Sequence, residues 1–496
     1  MPDGESDKRY LALDLGAESG RAILGRLRSG VLSVEEIHRF PNEPVEYAGS
    51  LHWDVARLWF EMRRALSMLR DRRLDGVGVD TWGVDYALLG ECGQLLENPY
   101  HYRDCRTAGM MEAVFRIVPR EEIYAQTGIQ FMALNTLYQL YAAKRQTPRL
   151  LAAADRLLTM PDLFHYWLSG NAVCEFTLAS TTQMADPRTR LWATSMLERL
   201  DLPSRLPGPL VEPGTIIGSV SPRVGPGLSS TPVIASASHD TAAAVAAVCA
   251  RNGTAFLSSG TWSLLGIEVD APVITPEACR LNFTNEGGVC GTTRLLKNVM
   301  GLWLLQGCRR AWSEQGTAYE YRELTEIAKQ EPPLRHLVDP DHETFLRPEN
   351  MLSAIDSYCA DTDQPKPGRV GAYVRAVLES LALKYRLVVR DLEKLTGQRM
   401  EEIRVVGGGS RNQLLNQLTA DATGKRVLAG PVEATALGNI GVQMLATGAT
   451  ASIAESRRVI DRSFETEIFV PSDAAPAWDK AAERFEQFAS AATHVD

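Results

Sequence analysis

The chain has 496 residues, too many for one ordinary core and suited to two domains. Apolar residues make up 45% and charged residues 23%, the balance of a globular fold in water. A formal net charge of −9 excludes broad attraction to nucleic acid or an anionic membrane, so an anionic ligand must be held by local donors.

Residues 1–10 are polar and of mixed charge, without the basic start and apolar run of a secretory leader. The longest apolar stretches, such as 241–250, are too short to span a bilayer. The eight cysteines are scattered with no C-x-x-C pair, which reads as reduced thiols and a cytoplasmic compartment. Residues 10–27, YLALDLGAESGRAILGRL, give an apolar run, an acid with glycine, a polar turn and a second apolar run: a β-hairpin. Residues 32–40 add a third strand. Over 54–73 the apolar residues Leu58, Met62, Ala65, Leu66 and Leu69 recur at helical spacing. Residues 75–80 then form a buried strand that ends in DTWGVD (80–85), and a dense polar cluster, HYRDCRT, follows at 101–107. That cluster reads either as a solvated loop or as a sugar-binding wall.

Residues 203–232 are rich in proline and glycine and read as an irregular surface segment. SHDT (238–241) then precedes an alanine-rich helix over 242–250. Either Ser238 or Asp240 caps that helix, or Asp240 serves as a carboxylate base. The second half repeats the opening plan. Residues 253–269 are strand, small polar turn (SSGTWS, 258–263) and strand. A helix over 373–395 leads to a strand at 402–406, the turn GGGSRN and a helix over 413–422. Between them, Lys297 and Asn298 read as polar residues at a helix start, before an apolar run that ends at Gln306. A hairpin followed by helix, strand and polar turn thus occurs twice. Such duplication predicts two similar α/β domains facing a central cleft, 1–250 and 251–496, with ligands at the carboxyl ends of the strands.

The turn at Asp14 to Arg21 offers backbone N–H groups and an arginine to phosphate, and Asp14 a carboxylate to hydrated Mg²⁺. SSGTWS is its counterpart, and the triple glycine leaves a ledge on which a flat nucleoside can rest. No G-K-[ST] follows that glycine run, so it is not a Walker A loop. Each of these segments also has a plainer reading as an ordinary turn.

Taken together and in order, DLGAESGR (14–21), DTWGVD, YRDCRT (102–107), SHDTA (238–242), SSGTWS, TNEGG (284–288), LKNVMGLWLLQ (296–306), VGGGSRNQLLNQL (406–418) and AGPVEATALGNIG (429–441) resemble the FGGY carbohydrate kinases across nearly the whole chain. The resemblance is strongest to the L-rhamnulose-phosphorylating branch. It implies two actin-like ATPase (ribonuclease H-like) domains, the first on the sugar and phosphate side and the second on the ATP side. It also implies transfer of the γ-phosphoryl of ATP, with Mg²⁺, to the 1-hydroxyl of L-rhamnulose or a related ketose. Carried over, Asp240 is the proton acceptor, and Gly83, His239, Asp240, Thr241 and Asn298 meet the sugar. Ala17, Glu18, Ser19, Gly20, Arg21, Thr261, Gln306 and Gly408 meet ATP, and Asp14 is the metal residue. Glu18 departs from the small residue expected in a phosphate turn, and must face solvent to be harmless. The alternatives are a sister kinase acting on another sugar, such as L-fuculose, and a nucleotide-gated regulatory protein on the same fold.

Overall fold

The computed structural model describes residues 7–491, so the first six residues of the polar N-terminal stretch lie outside the described residues. Among the described residues no helix is long and apolar enough to cross a membrane. The chain forms two compact units.

In the first unit the hairpin read from the sequence forms as β1 (Lys8–Leu15) and β2 (Ser19–Arg28), paired antiparallel, with β3 (Val31–Pro41) beyond them. Helix α1 (Val55–Met68) is shorter than 54–73. Asp54 stays outside as the cap, its carboxylate accepting the Arg57 N–H at 3.0 Å, and the charged run after Leu69 offers no apolar face to continue. Strand β4 (Gly76–Thr81) is fully buried and parallel to β1, in a register that sets Asp80 beside Asp14. The proline- and glycine-rich stretch is not wholly irregular. It supplies β5 (Thr215–Ser219), which pairs with β6 (Pro232–Ala235), and the sheet order is β5-β6-β4-β1-β2-β3. Leu11, Leu13, Leu15, Val77, Val79, Leu58 and Met62 build its core.

This unit is not the contiguous 1–250 expected. It comprises Met1–Cys249 together with Glu268–Leu295 and Ala434–Phe464. The reason lies in the helix Ala434–Ala446, which packs on β1, on β4 and on α2 (Asp240–Ala246). A Cβ on Gly438 would collide with the Ala243 carbonyl, so only glycine allows this crossing. Gln443 of that helix donates to the Leu11 carbonyl at 3.0 Å, and Asn439 donates to Asp80 Oδ2 at 2.6 Å.

The second unit comprises Ala250–Ile267, Leu296–Glu433 and Glu465–Asp496. Strands β7 (Thr254–Ser259) and β8 (Trp262–Val269) form the second hairpin, and β9 (Glu402–Val406) lies parallel to β7. Strands β10 (Arg426–Ala429) and β11 (Glu467–Phe469) extend it. Helix α3 (Trp303–Glu314) precedes the long α4 (Val370–Thr396), and α5 (Gln413–Thr423) follows β9. Lys384 sits on the buried face of α4, where it forms salt bridges with Asp339 at 2.7 Å and Asp341 at 3.0 Å. Each unit thus has the same centre, an antiparallel hairpin whose first strand runs parallel to a later one.

Candidate active site

The helix after β6 starts at Asp240 and ends at Ala246, so neither the expected span 242–250 nor the cap reading holds. His239 occupies the cap position with no side-chain cap bond, and Asp240 is the first helical residue. Freed from capping, the Asp240 carboxylate accepts the Thr241 hydroxyl at 3.0 Å and lies 3.5 Å from His239 Nε2. Burial raises its pKa above the ordinary aspartate value; His239 pulls it down, and the Asp14 charge pushes it further up. A carboxylate made more basic in this way is suited to accepting a proton.

The loop that carries His239 and Asp240 is held by a segment to which no role was given from sequence. Glu175 is fully buried. Its carboxylate accepts the Thr177 and Leu178 backbone N–H groups, the Thr177 hydroxyl and the Ser238 N–H at 3.1 Å. The His239 N–H in turn donates to Thr177 Oγ1 at 3.2 Å. Burial pushes the Glu175 carboxyl up to about 8 against the pull of these donors.

Gly83 adjoins the same histidine. A Cβ there would stand 3.3 Å from both His239 Nε2 and Thr181 Oγ1, so the bare backbone keeps space beside the imidazole. Two residues on, Asp85 Oδ2 accepts the Trp53 indole N–H at 2.6 Å, the Trp82 indole N–H at 2.9 Å and the Tyr102 N–H at 3.2 Å. Its Oδ1 accepts from Gln139 at 2.8 Å. Trp53 packs on Trp82 and on His101, at centroid distances of 3.9 and 4.1 Å. His101, Tyr102, Asp104 and Arg106 are all buried. The 101–107 cluster is therefore part of an aromatic wall gathered round one carboxylate, not a solvated loop. Burial raises the Asp85 pKa to about 6.

In the first hairpin turn, Arg21 forms an ion pair with Asp14, which is 3% exposed. Asn42 braces the turn, donating from its backbone to the Glu18 carbonyl at 3.0 Å and from its amide to the Gly16 carbonyl at 2.8 Å. Ala17 and Ser19 are partly exposed, Gly20 is buried and Glu18 faces solvent. Among the described residues no group of three or more His, Cys, Asp or Glu is arranged to hold a metal ion. Mg²⁺ bound mainly through substrate phosphates needs only one or two carboxylates. Asp14, paired with Arg21 and next to Asp80 in the sheet, offers one such carboxylate.

In the second unit, Gln306 donates to the Thr261 hydroxyl at 3.2 Å, and the Thr261 carbonyl accepts the Gly301 N–H at 3.1 Å. This ties the start of α3 to the turn between β7 and β8. The triple glycine follows β9 and packs on that same hairpin. Gly407 has φ +81°, and a Cβ on Gly409 would collide with Ser259 Oγ. A Cβ on Gly408 would meet nothing within 4 Å, which leaves the ledge open. Lys297 and Asn298 are not helix-start residues. They lie in the strand Thr293–Met300, and α3 begins only at Trp303, because Gly301 and Leu302 bond back to the β7–β8 turn.

The first unit therefore gathers Asp14, Arg21, Gly83, His239, Asp240 and Thr241. The second gathers Thr261, Gln306 and the glycine ledge. Glu175, Thr177 and Trp53, which hold these segments in place, were given no part in the sequence reading.

Residues 9–249 match the N-terminal domain of the FGGY family of carbohydrate kinases, and residues 255–447 match its C-terminal domain. The chain is 46% identical over 479 residues to a rhamnulokinase of Bacteroides thetaiotaomicron, covering 96% of this chain and 98% of the relative. It is 42% identical to a rhamnulokinase of Enterococcus faecalis, covering 95% and 96%. A ligand-bound xylulose kinase from Lactobacillus acidophilus shares the fold, with a TM-score of 0.82 at 16% identity over 98% of this chain and 99% of that one. The duplicated hairpin units, the carboxylate at the start of α2 and both domain matches lead to one assignment: the chain belongs to the FGGY family of carbohydrate kinases.

Proposed function

We propose that the protein transfers the γ-phosphoryl group of ATP to the 1-hydroxyl of L-rhamnulose, giving L-rhamnulose 1-phosphate and ADP in the breakdown of L-rhamnose in the cytoplasm. The observation that carries this reading is the 46% identity to a rhamnulokinase over 96% of the chain. The Asp240 carboxylate at the head of α2 supports it chemically.

A hydroxyl attacks phosphorus well only if its proton can leave as the new bond forms. Asp240 accepts that proton while the sugar oxygen bonds to the γ-phosphorus. The bond from that phosphorus to the β-bridging oxygen breaks, and ADP leaves with its electron pair. Gly83, His239, Thr241 and Asn298 hold the sugar, and the aromatic wall around Asp85 supplies an apolar face to it. Ala17 to Arg21, Thr261, Gln306 and Gly408 hold ATP, with exposed Glu18 contributing its backbone. Asp14 would hold Mg²⁺, which when bound offsets negative charge on the phosphates.

ADP release measured with ATP, Mg²⁺ and a panel of ketoses tests this reading, with the product assigned by phosphorus NMR. Turnover highest on L-rhamnulose, with phosphate on the 1-oxygen, is the expected result. A strong preference for L-fuculose or another sugar would overturn the substrate while leaving the kinase chemistry intact.

A further inference from the structure

His239 lies between two groups that make opposite demands on its ring. Its Nδ1 is 3.2 Å from Glu286 Oε2 and 3.2 Å from Arg294 Nη2. A carboxylate requires a proton on Nδ1. A guanidinium, which has donors only, requires a lone pair there. Of the two contacts, the one to Arg294 has hydrogen-bond alignment, whereas Oε2 lies off the N–H directions at ion-pair distance. Glu286 instead balances Arg294, 3.1 Å from Nη2.

Arg294 is 0% exposed, and its Nε–H is fixed on the Gly287 carbonyl at 2.9 Å, so the guanidinium cannot swing away from the ring. Burial lowers its pKa, and Glu286, Glu175, Asp240 and Glu268 hold it up. The other end of the imidazole, Nε2, lies 3.5 Å from Asp240 Oδ1 and borders the space left open by Gly83.

We propose that Arg294 is a positioning residue that fixes neutral His239 in the Nε2–H tautomer, so that the imidazole donates a hydrogen bond into the sugar site beside the Asp240 base. Glu286 has a supporting part: it neutralises the buried guanidinium without taking the Nδ1 position. In this tautomer His239 donates to a substrate oxygen next to the hydroxyl that Asp240 deprotonates. In the opposite tautomer Nε2 would present a lone pair to a carboxylate and to sugar oxygens, and would repel both. This inference rests on the sugar-kinase reading for the purpose of the bond, but not for its existence.

The test is the nitrogen-15 spectrum of histidine-labelled protein, with the His239 signal assigned by its loss in His239→Gln. Nitrogen shifts separate a protonated Nε2 from a protonated Nδ1 without reference to any activity. The wild-type protein is expected to show Nε2–H, and a wild-type Nδ1–H signal overturns the proposal outright. Arg294→Lys keeps a donor-only group and is expected to keep the tautomer, with turnover within about tenfold of wild type. Arg294→Met leaves Glu286 as the only partner and is expected to reverse the tautomer to Nδ1–H, lowering turnover on the sugar by roughly 10²-fold. Its thermal transition checks that it folds; if it does not fold, the wild-type and Arg294→Lys spectra still decide. Identical tautomers in folded Arg294→Met and wild type would also overturn it. If the tautomer behaves as stated but L-rhamnulose is not phosphorylated, the substrate reading fails and the positioning inference stands.

Discussion

The two units share a scaffold and differ at its ends. In each, a hairpin strand runs parallel to a later strand: β1 against β4 in the first unit, β7 against β9 in the second. Where these strands stop, the first unit places acids: Asp14, Asp80 and, at the head of α2, Asp240. The second places Ser258, Ser259, Gly260, Thr261 and three glycines. One pattern of hydrogen bonds thus carries two kinds of chemistry. The Asp240 carboxyl, raised by burial, suits proton acceptance, and small residues with bare backbone suit the close approach of a polyanion. The duplicated architecture sets where a ligand is met, and only the strand-end residues set what happens to it.

The largest expected effect breaks the acidic side. Asp240→Ala should fold as wild type, because the carboxylate is partly exposed and bonds only its neighbours Thr241 and His239. Turnover should fall roughly 10²–10⁴-fold while ATP still binds. Near-normal turnover would remove this chemical difference between the two units. The same residue sharpens the comparison through pH. Its pKa is raised, so the proton-accepting form is lost on acidification at a higher pH than for an ordinary aspartate. The acid limb of kcat/KM should lie above that of an ordinary aspartate, and it should vanish from the residual activity of Asp240→Ala.

The next effect is on the glycine-rich strand ends of the second unit. Gly409→Ala would drive a Cβ into Ser259 Oγ, and β7 or the ledge must shift. Overpacking of this kind costs about 1–3 kcal/mol, read as a lower thermal midpoint, and ATP affinity should fall with it. Gly408→Ala, one residue away, meets nothing within 4 Å and should leave the midpoint unchanged. A difference in ATP affinity alone, without a difference in stability, would then report contact with the nucleotide.

How much of this was legible in the sequence follows from the range of the interactions. Strands β1, β2, β4, β7, β8 and β9 were readable because alternation and burial act over a few residues, and the duplication doubled the signal. The parts that were not readable depend on distant partners. Asp240 looks like a cap because local sequence favours one, yet Glu175 draws in the Ser238 N–H and leaves His239 at the cap position. Lys297 and Asn298 look like a helix start, but the β7–β8 turn takes up Gly301 and Leu302 and delays α3. The polar 101–107 cluster reads equally as solvated loop or as wall until Trp53 and Asp85, some fifty and twenty residues upstream, bury it. The return of 434–464 to the first unit rests on Gly438, whose need for a bare Cα appears only once Ala243 lies against it.

The smallest and most specific effect concerns Glu175, which accepts the Ser238 N–H on the acidic side. Its folded pKa, about 8, is above that of an unfolded glutamate, so the folded state holds the proton more tightly. Below about pH 4 both states are protonated and this carboxyl takes nothing from stability. As pH rises towards 8 the unfolded chain ionises first, and stability falls across that interval; above it the loss is complete. Glu175→Gln cannot ionise, so its stability should lack this slope between about pH 4 and 8. Its amide must also turn one N–H toward the Thr177, Leu178 or Ser238 donors, which costs about 1–3 kcal/mol at every pH. Melting curves of the two proteins across that range should therefore converge as pH rises. Parallel curves would mean that Glu175 is ionised in the folded protein, with its donors outweighing its burial. The loop bearing His239 and Asp240 would then be anchored on a buried charge.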